Sequence, residues 1–382
     1  VPAGVKVAAS PAELACDESV DIVIELIGGL DAAREGILAA IEAGKPVITA
    51  NKHLLAVQGD EIFEKAEAKG VSVGFEAAVA GGIPILNAIR AGIGGDEITS
   101  VRGIMNGTAN YILTEMAEKG LAFDTVLRAA QEAGYAEADP TFDIEGIDAA
   151  HKLAILAGMA FGTKVNFGDV YTEGISHVTP EDIFYAERFG YDIKLLGIAA
   201  KVNGEIELRV HPVMLRREEL LGQIDGPINA VEIESAAIGS TLYTGPGAGG
   251  PATAGAVVSD LVRIARGLGD VGSRPLPPRL VSESELASIP VRPIGEIREA
   301  YYLRFTVKDQ AGVLARIATE LGEMGISIAQ VLQPATARDA VPVIIMTHHC
   351  READLMPAIA KLDATDIVLA PTVVIRIQDE NL

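Results

Sequence analysis

VDIVIELIGGLDAAREGILAAIEAGKPVITAN, Val20 to Asn51, reads as strand, helix, strand. Its opening, VDIVIELIG, is an almost unbroken apolar run. A parallel strand needs such a run when helices cover both faces of its sheet. DAAREGILAAIEAGK follows as an amphipathic helix ending near Gly44, and PVITAN is a second strand. HLLAVQGDEIFEKAEAKG is the next helix and VSVGFEAA the third strand. This alternation predicts a doubly wound, Rossmann-type sheet over residues 1–75. Such folds normally open with a GxGxxG turn at a helix N-terminus. Nothing before Asp21 supplies one, and Gly28-Gly29 lacks the third glycine. The expectation is a partial Rossmann-type sheet, entered at about its second or third strand, without the pyrophosphate cradle. Poor binding of a nicotinamide cofactor by the chain as it stands would follow.

Outward from there the pattern changes. Residues 76–250 mix long helices with alternating strands, as in an α+β substrate-binding and dimerisation domain. FGYDIKLLGIAAKVNGEIELRVHPVML is a hairpin with its turn at Asn203-Gly204. PATAGAVVSDLVRIARGLG predicts a helix returning to the first domain over about 251–272. The stretch 273–299, rich in Pro and Ser, reads as a linker. From 300 to 382 the order is βαββαβ, which is ferredoxin-like.

Composition narrows the function classes. The chain has 382 residues, 49% hydrophobic and 22% charged, enough for two or three domains of a globular enzyme. A net charge of -22 argues against nucleic acid as a partner, because a phosphate backbone needs a basic face. No apolar run reaches the length of a membrane span. The N-terminal stretch has no basic head or apolar core of a secretory signal. Cys16 and Cys350 are too few for a disulfide framework and fit a reducing cytoplasm.

Five segments carry chemistry-bearing residues. In TANKHLLA, Thr49, Asn51 and Lys52 stand at the carboxyl end of a strand, where open α/β sheets bind ligands; helix capping is the plainer reading. In FEAAVAGGIPIL, Glu76 and tight backbone around Gly81-Gly82 suit a hard monovalent cation; a flexible crossover is the alternative. Asn106-Gly107-Thr108 puts donors ahead of a helix, ready for a carboxylate or serving as an ordinary cap. GYAEADPTFDIEGIDAAHKL places Glu137, Asp139, Asp143 and Asp148 before and inside a helix that carries Lys152. Asp148 and Lys152 are four apart, on one helical face. Four acids suit an ammonium group, and the lysine suits the other end of the same small molecule. GPGAGGPATAG brings Gly-rich backbone to a helix N-terminus.

Together, in this order across roughly residues 20–270, these segments resemble homoserine dehydrogenases. The tail, with Asp309-Gln310-Ala311-Gly312-Val313-Leu314 at a strand-to-helix turn, resembles an ACT domain that binds amino acids. The resemblance implies NAD(P)-dependent interconversion of L-homoserine and L-aspartate 4-semialdehyde in threonine, methionine and isoleucine biosynthesis. It implies Lys152 as proton donor with Lys52 beside it. Glu137 and Asp148 match substrate-binding acids, Asp143 a supporting acid, and Gly134, Asn106, Gly107 and Thr108 residues lining the substrate. For NAD or NADP it implies Gly28, Gly29, Thr49, Asn51, Lys52 and Gly249. For Na+ or K+ it implies Glu76 with backbone oxygens of Val79, Gly81 and Ile83. The effector, by resemblance threonine, would meet Asp309, Gly312, Val313 and Leu314 in a homodimer or homotetramer. His151 departs from the arginine common in the family and takes no role.

Two rivals stand beside this reading. Another ACT-bearing dehydrogenase would need a catalytic histidine with an acid in its nucleotide domain, where His53 is the only histidine. A non-catalytic amino-acid sensor fits the missing Gly-rich turn, but not the two lysines and the acid cluster.

Overall fold

The computed structural model describes residues 4–268, 277–334 and 340–382. Helix α1 (Pro11–Cys16) precedes β1 (Val23–Glu25), α2 (Asp31–Glu42), β2 (Val47–Thr49), α3 (Lys52–Lys69) and β3 (Val73–Gly74). The strands form a parallel sheet in the order β1-β2-β3. Helix α2 buries Ala33, Ile37, Ala40 and Ile41, one stripe at helical spacing. Helix α3 starts where the Asn51 side chain accepts from Leu54 N–H and stops at Gly70, with φ 66°.

The run VDIVIELIG is less strand than expected. Only three residues pair, Ile24 is 39% exposed, and Leu26 and Ile27 are exposed beyond it. The apolar run predicts a strand covered on both faces; β1 is instead an edge strand whose outer edge is open among the described residues.

A turn at Glu76–Ala78 and the short α4 (Ile85–Asn87) lead into β4 (Ile98–Ile104). Then come α5 (Gly107–Lys119), α6 (Phe123–Glu132), α7 (Thr141–Ile144), α8 (Ile147–Phe161), β5 (Tyr171–Thr172) and α9 (Pro180–Arg188). Strands β6 (Tyr191–Val202) and β7 (Glu205–Arg216) form the expected hairpin, with Asn203 and Gly204 both at positive φ, 52° and 84°. β8 (Ile228–Ser235) and β9 (Gly239–Pro246) pair next to β4. Helix α8 is buried on all sides and lies across β4, β6 and β7 as the core helix of this part.

Helix α10 (Gly250–Gly267) returns to the first sheet, packing on β2 and β3. Its Asp260 accepts from the Glu76 backbone N–H at 2.9 Å. A Cβ at residue 74 would lie 2.9 Å from that carboxylate, so glycine is needed there for close approach. Residues 269–272 of the predicted returning helix, and 273–276 of the predicted linker, lie outside the described residues. The remainder of the Pro- and Ser-rich stretch is docked. Arg279 pairs with Asp60 and Glu283, the Ala287 N–H donates to the Gly162 carbonyl, and Pro290 accepts from Ile206. Composition shows polarity and turns but not such backbone pairing.

The tail is β10 (Arg298–Lys308), α11 (Val313–Glu323), β11 (Ile328–Leu332), β12 (Ala340–Thr347), β13 (Cys350–Arg351), α12 (Glu352–Asp363) and β14 (Val368–Gln378). Its strand order, β11-β12-β10-β14, is ferredoxin-like. Unforeseen from the sequence, β14 continues into the central sheet. Arg376, Ile377 and Gln378 pair in parallel with Val213, Met214 and Leu215 of β7, giving one sheet of eleven strands.

Polar side chains fasten the same seam. Asp182, fully buried on α9, accepts from Arg304 Nε at 2.5 Å, Arg304 Nη2 at 2.9 Å and the Tyr302 hydroxyl at 3.1 Å. Asp379 accepts from Arg216 Nε and the Tyr191 hydroxyl, both at 2.6 Å. Removing one partner of a buried pair strands the other without water. Asp182→Ala should therefore lower the unfolding free energy by about 3–5 kcal/mol, measured by denaturant titration. Adding Arg304→Met to it should recover part of the loss; a single-variant loss within error of zero would show that solvent reaches the seam.

Candidate active site

Asp148, His151 and Lys152 sit on the first turns of α8 and are the buried polar side chains of that helix. Gly146, at φ 78°, sets the chain direction into it. Asp148 Oδ2 lies 2.7 Å from Lys152 Nζ, and Oδ1 lies 2.8 Å from Lys52 Nζ. Lys52 comes from the start of α3, so the carboxylate joins the two parts of the chain. Burial pushes the Asp148 carboxyl up, but the charges of Lys152 and Lys52 outweigh it and hold it well below the usual range. The two lysines differ in access: the side chain of Lys152 is 7% exposed, that of Lys52 41%. Lys152 Nζ also donates to the Met105 carbonyl at 2.6 Å.

Asn106 ties a third element to this centre. Its Oδ1 accepts from Ala109 N–H, capping α5. Its Nδ2 donates to Asp148 Oδ2 at 2.9 Å and to Asp143 Oδ1 at 2.6 Å. The sequence suggests donors here for a ligand carboxylate; in the structure the Asn106 amide serves the protein's own acids. The Thr108 hydroxyl donates to the Tyr135 carbonyl. A Cβ on Gly107 would stand 2.8 Å from the Pro227 carbonyl, so that glycine answers to close packing. Asp143 is pushed up by burial and by the Asp148 charge, against its bond from Asn106.

Gly134 and Glu137 lie on the exposed loop between α6 and α7. The Glu137 carboxylate has no hydrogen bond or ion pair among the described residues. Asp139 caps Thr141 and stays outside the cluster. His151 was given no role by sequence. It is buried in an aromatic stack, its ring 4.4 Å from Phe167 and 4.8 Å from His53. Burial and the neighbouring His53 push it down to about 4, so it is neutral at ordinary pH.

A second group of candidates gathers at the carboxyl ends of β1 and β2. Thr49 Oγ1 donates to Glu25 at 2.6 Å and accepts from Asn51 N–H, while Asn51 Nδ2 donates to the Gly29 carbonyl at 2.7 Å. Glu25 also accepts from the N–H groups of Ile27 and Gly28. The stitched strand ends and the N-terminus of α10 flank an open cleft of about 430 Å³, lined by Gly28, Ala50, Asn51, Gly250, Thr253 and Val257 among others. Gly28, Gly29 and Gly249 have positive φ, and beside each is open space. Backbone conformation demands glycine there, and the space admits a ligand. Glu25 and Thr253 were missed in the sequence; a lone acid ending an apolar strand was the available signal for the first. Another cavity of about 400 Å³, between α3, α8 and residues 289–291, holds no candidate residue.

Glu76 is buried away from both groups. Its carboxylate accepts from the N–H groups of Leu86 and Asn87, at 2.9 and 3.0 Å. Burial, with the Asp260 charge, pushes it up to about 7. Ala80 and Gly81 follow at φ 53° and 43°, a strained reversal of the backbone. The Ile83 carbonyl accepts from Ile85 N–H; those of Val79 and Gly81 accept no turn or loop backbone N–H among the described residues.

Comparison with known proteins matches residues 84–262 to the homoserine dehydrogenase family model, 3–76 to the NAD-binding domain of homoserine dehydrogenase, and 301–365 to the ACT domain. Homoserine dehydrogenase of Pseudomonas aeruginosa is 49% identical over 97% of this chain and 86% of its own length. The structure of a homoserine dehydrogenase from Thiobacillus denitrificans superposes with TM-score 0.93 at 50% identity, covering 98% of this chain and 86% of that one. A hyperthermophilic archaeal homoserine dehydrogenase in complex with NADPH aligns with TM-score 0.59 at 29% identity, over 68% of this chain and 75% of its own. Identity over nearly the whole chain, with all three models in sequence order, shows that the protein belongs to the homoserine dehydrogenase family, whose members are NAD(P)-dependent oxidoreductases.

Proposed function

We propose that Lys152, Lys52 and Asp148 form the centre at which this homoserine dehydrogenase interconverts L-homoserine and L-aspartate 4-semialdehyde. The observation carrying this is one buried carboxylate shared by two ammonium groups from different parts of the chain. A lysine ammonium has three donors. Two on Lys152 go to Asp148 and Met105, and the third is free among the described residues to meet the substrate oxygen. On reduction Lys152 gives that oxygen a proton; on oxidation it takes one back. Lys52 adds positive charge where the oxygen becomes negative. Glu137, Asp143 and Asp148 hold the ammonium end, with Gly134, Gly107 and Thr108 lining the loop, and so orient the reacting carbon.

NAD or NADP supplies or accepts the hydride when bound. The cleft above β1 and β2 offers open space beside positive-φ glycines, and Gly28, Gly29, Thr49, Asn51 and Gly249 would hold the part of the cofactor that lies there, the GxGxxG pyrophosphate cradle not being among these residues. NADPH in the archaeal relative favours NADP. The buried Glu76 carboxylate and the carbonyls of Val79, Gly81 and Ile83 make an all-oxygen donor set suited to Na+ or K+. A cation there would supply structural neutralisation of a buried charge.

Threonine is the effector we assign to Asp309, Gly312, Val313 and Leu314. Gly312, at φ 91°, opens α11, whose N-terminus favours a carboxylate. Edges β9 and β11 are open among the described residues, which supports a homodimer or homotetramer. No helix among the described residues is long and apolar enough to cross a membrane. The setting we propose is cytoplasmic threonine, methionine and isoleucine biosynthesis.

In the full-length enzyme, Lys152→Met should cut kcat for homoserine oxidation by about 100-fold or more, with cofactor binding retained. Near-normal kcat across the pH range would remove the lysine from the chemistry. Glu137→Gln should raise the homoserine KM about tenfold and leave the cofactor KM alone; equal changes in both would place Glu137 outside the substrate site. Potassium or sodium chloride should raise the melting temperature above that in choline chloride of equal ionic strength, and Glu76→Gln should abolish the difference. The same increment in both proteins would argue for a cation bound elsewhere.

A further inference from the structure

Helix α7 carries Asp143 and fully buries none of its four residues; Ile144 packs on the edge of the core and the Phe142 ring lies 5.8 Å from that of His151, so its apolar anchorage is partial. Asp143 and Asp148 share one donor, Asn106 Nδ2, and like charges so close repel. The strap Glu173–Ser176 adds backbone and side-chain bonds that hold α7 inward. The Ile175 N–H donates to the Ile144 carbonyl at 2.8 Å, and the Ser176 hydroxyl to Glu145 at 2.9 Å. Gly174 passes so near that a Cβ on it would lie 2.4 Å from the Ile144 carbonyl oxygen.

The strap is fixed at its other end by the C-terminal domain. Glu173 N–H donates to the Val210 carbonyl of β7. Its carboxylate accepts from Arg376 Nη1 at 2.8 Å and the Tyr171 hydroxyl at 2.9 Å, and lies 3.2 Å from His177 Nε2. Arg376, on β14, is buried. Its Nε and Nη2 grip Glu352 at 2.8 and 2.6 Å, and its guanidinium lies over the Tyr171 ring. A planar fork held on three sides has little freedom to move alone.

The geometry points to Arg376 as a positioning residue for the substrate site: from β14 it fixes Glu173, and through the 173–176 strap it fixes Asp143 beside Asp148. This rests on the proposed reading of Asp143 as a substrate-site acid. Arg376 touches no substrate, and its influence falls on homoserine rather than on cofactor. The cofactor cleft is built from β1, β2 and α10 and shares no residue with the strap.

The test uses the full-length enzyme. Glu173→Gln keeps the side chain's shape and leaves Arg376 paired with Glu352. It should raise the homoserine KM about 3- to 10-fold, with the cofactor KM and melting temperature little changed. Ser176→Ala, on the surface, should raise it in the same direction by less, and serves if the first variant fails to fold. An unchanged homoserine KM in whichever variant folds, or homoserine and cofactor KM rising together, overturns the inference. Asp143→Asn separates the two layers of the argument. If it alone leaves the homoserine KM unchanged, the reading of Asp143 falls and this inference with it. If it raises that KM while Glu173→Gln does not, only this inference falls. The double variant should match Asp143→Asn alone, because placement of α7 has no effect once its charge is gone. Independent multiplication of the two effects would overturn the link.

Discussion

A carboxylate on a helix buried along nearly its whole length must be answered by positive charge, and Asp148 sets that demand for this molecule. An unpaired charge at such a depth would cost several kcal/mol. The answer comes from Lys152 one turn along and from Lys52 at the head of α3. The amide of Asn106 completes it. Three elements drawn from two parts of the chain are thereby brought to one point. The cleft above β1 and β2, opened by the same strand end that leads into Lys52, is placed relative to Asp143 and Asp148 by that requirement.

Much of this was legible in the sequence because it was local. The 3.6-residue stripes of α2, the Asn-Gly turn of β6 and β7, and the i, i+4 pair on α8 each depend on neighbours a few residues apart. Fold class follows from such patterns, whereas the roles given to Lys52 and Lys152 came with the family resemblance. Long-range pairings were not legible. The β14–β7 seam needs register between residues more than a hundred positions apart, and the docking of residues 277–299 depends on backbone groups rather than on side-chain type. The strand run at Val20 misled for a related reason. Apolar residues near a sheet edge and a cleft look the same in sequence as those in a sheet interior.

The turn proposed for the effector stands far from the seam. Tyr301, which pairs with Arg376, and Asp309, one residue past the end of β10, are eight positions apart, roughly 26 Å at strand spacing. Side-chain contact cannot span that interval, whereas a strand moving as a rigid rod can. Among the described residues the ferredoxin-like sheet pairs with the central sheet through β14, flanked by the Asp182 and Asp379 networks and by Tyr302, Ile344 and Met346 packed into the shared core, so tilt or slide of that sheet acts on this seam.

The shared sheet also has a history within each molecule's synthesis. Val213 leaves the ribosome 163 residues before Arg376, its parallel partner. At ordinary elongation rates that interval is roughly 10 to 30 seconds. Throughout it, the Val213–Leu215 end of β7, beyond the part that β5 pairs, presents an open edge to every other nascent chain nearby. The strand is not defenceless: Pro212 has no N–H to offer, and Arg209 and Arg216 place charge along it. Residues that later meet buried carboxylates thus first serve as guards against mispairing.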